Sequence, residues 1–193
     1  AQVVYYFWAA VAIGAAGRPI AFAVPTGNFG NIFAGYAASL MGLPVRQLII
    51  GSNRNDILTR FLGSGRMETT QVMPTLSPSM DIQTSSNFER LLFELHDRDG
   101  TKVAALMERF GETGAFSIDA DRLRSIRALF DGERFDDEQT KQTIKAVCLE
   151  SGLILDPHSA VGVAAGRAKR RDAGAPMVVL ATAHPAKFPK AVK

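Results

Sequence analysis

The sequence is poor in cysteine, and this scarcity excludes one means of stabilising the fold. Cys148 is the only cysteine among 193 residues, so no disulfide can form within the chain. A lone thiol suits a reducing compartment, and we therefore expect a cytoplasmic protein. Ile144 and Val147 share an apolar helical face with Cys148, which predicts a packed thiol rather than a nucleophile.

Metal ligands and membrane-spanning runs are also scarce. The three histidines do not have ligand spacing, and no cluster of cysteines or carboxylates supplies further ligands. The apolar run from Val3 to Ala16 is shorter than the roughly 20 residues that a membrane-spanning helix requires. No basic region precedes this run, so it does not resemble a signal peptide. The sequence predicts no metal site and no membrane partner.

Charge of one sign is not in large excess. The net charge is +3, from 22 basic and 19 acidic residues, and the two signs alternate along most of the chain. The only dense basic cluster, Arg167–Arg171, has no aromatic residues beside it, which favours a solvated helix end over a nucleic-acid surface. With 47% hydrophobic and 21% charged residues, the composition is that of a globular protein with a sizeable core.

The most informative stretch is a glycine and asparagine loop between a strand and a helix. Ile20–Val24 is a buried-strand pattern closed by Pro25, and we expect Asn31 to cap the helix that follows. The first N–H groups of a helix lack intrahelical acceptors and carry its positive dipole, so this position favours a phosphate. Gly27 and Gly30 permit close approach of the backbone, while Asn28 and Asn31 add amide donors.

The spacing of this loop disfavours nucleotide binding. It lacks a third glycine of the dinucleotide fingerprint, and it ends in Gly30-Asn31 rather than in the Gly-Lys-Ser/Thr of a P-loop. A plain strand-to-helix turn, with glycines used only for chain reversal, remains the alternative on local sequence.

The order of the remaining patterns predicts an α/β protein with a parallel sheet. We expect residues 1–62 to form the first part of an α/β domain, 63–85 an ordered loop region, 86–151 a mostly helical insertion, and 152–193 a return to the α/β domain. The predicted strands are Ile20–Val24, Val45–Ile50, a short one within Thr69–Met73, Leu153–Leu155 and Pro176–Ala181. The predicted helices are one ending near Ile13, Ile32–Met41, Ile57–Leu62, one after a Ser86–Glu89 capping box, Lys102–Phe110, Ala120–Phe130 capped by Asp119, Asp137–Glu150 capped by Asp136, and one capped by Asp156.

In such a sheet, ligands gather beyond the carboxyl ends of the strands. This rule places the loop Thr26–Asn31, the polar turn Ser52–Asp56 and the residue Thr182 at one edge. Asp156 and His158 are better explained by helix capping than by a catalytic triad, because sequence order alone supports no Ser-His-Asp arrangement.

Six motifs, taken together and in this order, resemble the threonine synthase family. They are Pro25–Asn31, Asn53–Leu58, Ser77–Ile82, Ser85–Leu91, Asp156–Gly162 and Thr182–Pro189. The resemblance spans nearly the whole chain, and the combination is specific although each motif alone is weak.

The resemblance implies a pyridoxal-phosphate enzyme with the three-layer sandwich of the tryptophan-synthase-β type. Such enzymes are lyases that convert O-phospho-L-homoserine and water to L-threonine and phosphate. By this resemblance, Gly27, Asn28, Phe29, Gly30 and Asn31 bind the cofactor phosphate. Thr182 matches the family hydroxyl that meets the pyridine nitrogen, and a neutral hydroxyl leaves that nitrogen unprotonated more readily than a carboxylate would.

One part of the family pattern is missing from the sequence. The lysine that forms the aldimine lies, in this family, in a Phe-Lys-Asp stretch upstream of the phosphate loop, and no such stretch occurs here. Lys187 is not its equivalent, and we expect it in a surface turn. We therefore expect a downstream piece of a longer protein that is inactive alone, with the upstream segment as its partner and no catalytic residue in this chain.

Two other functions remain open. One is a related pyridoxal-phosphate lyase such as a serine or threonine dehydratase, against which the Ser77–Ile82 and Asp156–Gly162 motifs argue. The other is a non-catalytic domain that binds a phosphoanion.

Overall fold

A computed structural model describes residues 1–15 and 17–192. Ala16, the last residue of the predicted apolar run, and Lys193, the end of the predicted return to the α/β domain, lie outside this range. The helices are α1 (Val3–Ala12), α2 (Gly30–Leu40), α3 (Ile57–Ser64), α4 (Glu89–Leu95), α5 (Gly100–Thr113), α6 (Ala120–Leu129), α7 (Asp137–Ser151), α8 (Pro157–Lys169) and α9 (Pro189–Val192). The strands are β1 (Ile20–Pro25), β2 (Val45–Ser52), β3 (Arg66–Glu68), β4 (Ala115–Ser117), β5 (Phe130–Arg134) and β6 (Met177–Val179).

The central sheet is parallel, as the alternating pattern predicts. Its strand order is β5-β2-β1-β6, and every pairing in it is parallel. Strand β1 is fully buried and lies between β2 and β6. The carboxyl ends of the four strands therefore point to the same edge, where the loops that follow β1 and β6 meet.

Side chains of the sheet alternate between two packed layers. Phe22 and Ile50 belong to a large core that includes residues of α1, α2 and α3. Ala23 and Ile49 face the other way and pack with Ala165 of α8. Helices on both faces of one parallel sheet make the three layers of the predicted sandwich.

Helix α8 lies unusually close to the sheet because it presents glycine there. A Cβ on Gly162 would lie 3.0 Å from the Pro25 ring and 3.0 Å from a Val179 methyl. This close packing brings the N-terminus of α8 beside the ends of β1 and β6. It thereby places Asp156 and its neighbours at the ligand edge of the sheet.

The predicted helical stretch contains two short strands that periodicity did not reveal. Phe130 is predicted as the end of a helix but begins β5, which pairs with β2 at the sheet edge. Ala115–Ser117 forms β4, which pairs with β3 in a separate antiparallel ribbon. Strands of three to five residues are too short for alternation to identify them.

Two other strand predictions are wrong, and several element boundaries move by one to three residues. Residues 69–73 and 153–155 are not strands in the structure; β3 lies just before the first range, and the second connects α7 to α8. Helix α5 continues through Gly111 to Thr113, and β6 is shorter than Pro176–Ala181.

Two predicted helix caps are also wrong, whereas three are confirmed. Helix α2 is preceded by Phe29, not by Asn31, and α4 is preceded by Phe88 without a side-chain cap, so no Ser86–Glu89 box forms. Asn31 instead faces the Tyr6 hydroxyl, and Ser86 Oγ accepts from Asn87 Nδ2 at 3.4 Å rather than from a backbone N–H of α4. The predicted caps that do form are Asp119, Asp136 and Asp156.

Across residues 1–15 and 17–192, none of the helices has both the length and the apolar character needed to cross a bilayer.

Candidate functional site

The loop between β1 and α2 leaves a row of backbone donors without protein acceptors. Phe29 adopts a left-handed conformation with φ 62°, and α2 starts at Gly30 directly after it. Within the described residues, no backbone N–H from Gly27 to Ile32 donates to another protein group, whereas Phe33 N–H donates to Phe29 O at 2.9 Å. Six consecutive donors of this kind at the start of a helix favour an anion even without a cationic side chain.

The carbonyl groups of the same loop are held by a neighbouring segment. Ser85 Oγ donates to Gly27 O at 2.7 Å. Asn87 donates twice to Asn28 O, from its backbone N at 3.1 Å and from Nδ2 at 2.9 Å. Fixing the carbonyls in this way leaves the N–H side of the loop for a ligand.

A cavity of about 380 Å³ lies over the loop. All six predicted cofactor-binding residues line it, namely Gly27, Asn28, Phe29, Gly30, Asn31 and Thr182. The structure thus brings together residues that stand at opposite ends of the sequence. The other residues that line it are Gln2, Pro25, Thr26, Ser79, Met80, Asn87 and His158.

One wall of the cavity is the segment that precedes α4, and it touches the loop between β1 and α2 closely. A Cβ on Gly27 would lie 2.9 Å from Ser79 O and 3.2 Å from Met80 Cα. A buried polar cluster fixes this wall: Asn53 Nδ2 donates to Asp81 Oδ1 at 2.8 Å, and Thr75 N–H donates to Asp81 Oδ2 at 2.8 Å. The turn after β2 is therefore a support for the cavity wall and does not itself line the cavity.

The opposite wall is formed by His158 at the N-terminus of α8 and by Thr182 in the segment after β6. Asp156 is almost fully buried, at 1% exposure, and accepts hydrogen bonds from His158 and Ser159. Its Oδ1 accepts from His158 N–H at 2.9 Å, Ser159 N–H at 3.3 Å and His158 Nδ1 at 3.0 Å. Its Oδ2 accepts from the Ser159 hydroxyl.

These hydrogen bonds keep Asp156 ionised in a buried place. Burial by itself would raise the pKa of Asp156, but the hydrogen bonds from the side chains and backbone N–H groups of His158 and Ser159 together hold that pKa below its ordinary value. The Ser159 hydroxyl is bound to the carboxylate and not to the imidazole, so the three residues are not a catalytic triad. The prediction that Asp156 acts as a cap is confirmed.

His158 and Ser159 are the site residues that sequence reasoning missed. His158 Nε2 accepts from Ser79 N–H at 3.3 Å, and Ser159 Oγ accepts from Thr182 N–H at 3.3 Å. The available signal was their position directly after a capping aspartate at the ligand edge of the sheet.

Within the part of the chain that the structure describes, the site contains neither a lysine nor a cluster of side chains that could hold a metal ion. None of the described residues that line the cavity is a lysine, and Lys187 lies exposed in a turn, Pro185–Lys187. The described residues also form no group of three or more His, Cys, Asp or Glu side chains that could hold a metal ion.

Comparison with known proteins gives consistent matches along the chain. The profile of a family described as "Threonine synthase, C-terminal" matches residues 159–193. A threonine synthase from Pseudomonas aeruginosa is 56% identical over 193 residues, which is 100% of this chain and 41% of that protein. The chain therefore spans about two fifths of the length of this curated relative.

Solved structures give the same match, and more distant proteins share the fold. The X-ray structure of PLP-bound threonine synthase from Brucella melitensis aligns with a TM-score of 0.96 at 57% identity, over 100% of this chain and 41% of that one. Threonine deaminase isoform 2 from Solanum lycopersicum aligns with a TM-score of 0.58 at 14% identity, over 98% of this chain and 45% of that one. The second likeness concerns the fold alone.

Proposed function

Since this chain belongs to the threonine synthase family, we propose that it forms the cofactor-phosphate side of a pyridoxal-phosphate site in a threonine synthase. Its fold is the three-layer α/β sandwich of the tryptophan-synthase-β type. The proposed whole activity is conversion of O-phospho-L-homoserine and water to L-threonine and phosphate, in the cytoplasm.

The observation that carries the proposal is the row of free donors after β1. The phosphate of pyridoxal phosphate is a dianion, and the N–H groups from Gly27 to Ile32 have no other acceptor among the described residues. The side-chain amides of Asn28 and Asn31 lie beside the same cavity. These groups fit a phosphate that is bound by backbone and helix dipole rather than by cationic side chains.

Thr182 is the proposed partner of the other end of the cofactor. It lines the same cavity as the phosphate loop, and its hydroxyl is a neutral group that can meet a pyridine nitrogen without protonating it. When bound, pyridoxal phosphate supplies an electron sink for charge that develops on the substrate carbons. The chain itself binds and orients the cofactor and excludes water behind it.

The proposed partner of this chain is the upstream part of the same protein. The relatives are longer than the chain, which covers 41% of the Pseudomonas aeruginosa protein. We propose that this upstream part supplies the lysine that anchors the cofactor and most contacts to the substrate phosphate.

The proposal is tested with the full-length protein that carries this chain. We expect it to bind pyridoxal phosphate and to release phosphate and threonine from O-phospho-L-homoserine. Deamination of threonine without that activity would instead favour the dehydratase-like alternative. Binding of phosphate ester without any turnover would favour the non-catalytic phosphoanion-binding domain.

A second measurement tests whether the site is divided between this chain and the upstream part of the protein. The 193-residue chain alone should form no threonine, and borohydride should trap no stoichiometric pyridoxyl-lysine in it. Either product would show that the chain contains a complete site.

A further inference from the structure

A buried carboxylate with a full set of donors stands behind the two walls of the cavity. Asp156 accepts four hydrogen bonds, three at Oδ1 and one at Oδ2. Both side chains that donate to it, His158 and Ser159, are buried, at 3% and 2% exposure. No water is needed to satisfy this carboxylate, so its hydrogen-bonding pattern is set by the protein.

The carboxylate determines which way its two side-chain neighbours are polarised. A serine hydroxyl has one proton, and in Ser159 that proton is directed to Asp156 Oδ2, which leaves the oxygen as an acceptor. A neutral imidazole has one N–H, and because the Ser79 N–H points at His158 Nε2, the hydrogen-bonding pattern assigns that proton to Nδ1, facing Asp156. Asp156 thus makes both groups present a lone pair on the side away from it.

Each lone pair is used by a backbone N–H from a different wall of the cavity. Ser159 Oγ accepts from Thr182 N–H at 3.3 Å. His158 Nε2 accepts from Ser79 N–H at 3.3 Å. These bonds tie the segment after β6 and the loop before α4 to the same carboxylate.

We propose that Asp156 is a positioning residue that fixes both walls of the cofactor cavity through Ser159 and His158. The part concerning the cofactor rests on the proposed function, since Thr182 is the proposed partner of the pyridine nitrogen. Asp156 does not line the cavity and acts only through its two neighbours. An amide in its place would put a donor where one branch requires an acceptor. Its neutral oxygen would hold the other branch less strongly than a carboxylate does, so both branches would be disturbed.

The two branches can be separated by substitution. Ser159→Ala removes the acceptor for Thr182 alone. His158→Phe removes the acceptor for Ser79 alone while keeping a ring against Phe188, whose centroid lies 4.9 Å from the imidazole. Asp156→Asn keeps an oxygen that can cap α8 but disturbs both branches. Ser39→Ala is the matched control. It removes a serine hydroxyl that donates to Tyr36 O at 2.7 Å, and Ser39 is not among the residues that line the cavity.

The first readout is residue-resolved amide hydrogen exchange of the full-length protein without cofactor. Loss of one hydrogen bond should speed exchange of the released amide by about fivefold or more: Thr182 in Ser159→Ala, Ser79 in His158→Phe, and both in Asp156→Asn. Ser39→Ala should change neither amide. Should Asp156→Asn not fold, the two branch variants still decide the proposal. Unchanged exchange at Thr182 in Ser159→Ala and at Ser79 in His158→Phe would overturn it.

The second readout adds pyridoxal phosphate to the full-length protein. Ser159→Ala should shift the absorption band of the bound cofactor and lower kcat more than it raises KM for O-phospho-L-homoserine, whereas Ser39→Ala should match the wild type. An unshifted band with wild-type kinetics would disprove the effect on the cofactor. If the wild-type protein does not bind pyridoxal phosphate, the proposed function fails, while the exchange pattern still decides whether Asp156 ties the two walls together.

Discussion

At the scale of single residues, Phe29 holds the loop between β1 and α2 in a conformation that is costly by itself. A left-handed backbone is uncommon for a bulky residue and costs about 1–3 kcal/mol. Its side chain offsets this cost because it is 1% exposed and packs edge-on against Phe88 and stacked against Phe130, with centroids 5.0 and 5.9 Å away. Aromatic packing on one side of the loop therefore maintains the free donors on the other.

Gly27 provides the residue-scale test of this loop. In Gly27→Ala the new Cβ would lie 2.9 Å from a backbone oxygen, Ser79 O, and backbone atoms cannot move aside as a side-chain end can. We expect a loss of about 1–3 kcal/mol in the free energy of unfolding and weaker binding of pyridoxal phosphate, measured by chemical denaturation and by cofactor titration.

Gly111→Ala is the control for the glycine substitution. Gly111 lies within α5, and a Cβ added there would meet no described atom within 4 Å outside the backbone of its own helix. This variant should gain up to about 1 kcal/mol, since alanine favours a helix, and should leave cofactor binding unchanged. Equal cofactor affinity in the two variants would argue against the close contact of Gly27 with the cavity wall.

At the scale of elements, α8 joins the sheet to the site and depends on an ionised cap. The native pKa of Asp156 is lower than its ordinary value of 3.8, so the native state favours the carboxylate. The stability that it contributes is present above that ordinary value and is lost as pH falls through the lower native pKa. Acid should therefore weaken the attachment of α8 before it affects the apolar core.

The lowered pKa of Asp156 gives a prediction for how the stability of the protein depends on pH. The free energy of unfolding of the wild type, followed by chemical denaturation from pH 7 to pH 3, should fall more steeply below about pH 4 than that of Asp156→Asn. Asp119→Asn changes an exposed cap of the same type at α6 and should alter the pH dependence less, because solvent screens it. Parallel curves for the wild type and Asp156→Asn would contradict the prediction.

At the scale of the whole molecule, one face of α1 is apolar and open in the described structure. Val4, Tyr5, Trp8 and Val11 are 58–69% exposed. Tyr5 and Trp8 border a groove of about 520 Å³ together with the edge strand β6. An apolar face of this kind next to a strand edge favours association.

We therefore expect the 193-residue chain to self-associate when it is prepared alone. The double variant Trp8→Lys/Val11→Lys should lower the mean mass measured by light scattering, because it places charge on the apolar face. Leu149→Lys, which changes a residue that is 78% exposed on α7, should leave the mass unchanged. A wild-type chain that is a clean monomer would count against the prediction.

The order and type of the main strands and helices were predictable from the sequence where the apolar patterns were long. The hydrogen-bonding roles of individual side chains were not predictable. The run Ile20–Val24 and the capped helices predicted the parallel sheet, and the strand and helix patterns placed the loop Gly27–Asn31 between β1 and α2. Strand β5 was missed because five residues after a helix carry no distinct period. The roles of His158 and Ser159 could not be predicted, because they depend on contacts with Ser79 and Thr182 from distant segments.

The pairing of β6 with β1 also has a consequence for biosynthesis. Ala21 pairs with Met177, so β1 leaves the ribosome long before β6, its partner on that side of the sheet. At roughly 5–20 residues per second, translation would leave β1 with an open edge for on the order of ten seconds. During this interval the nascent chain carries an unpaired strand edge, which is a template for pairing with another chain.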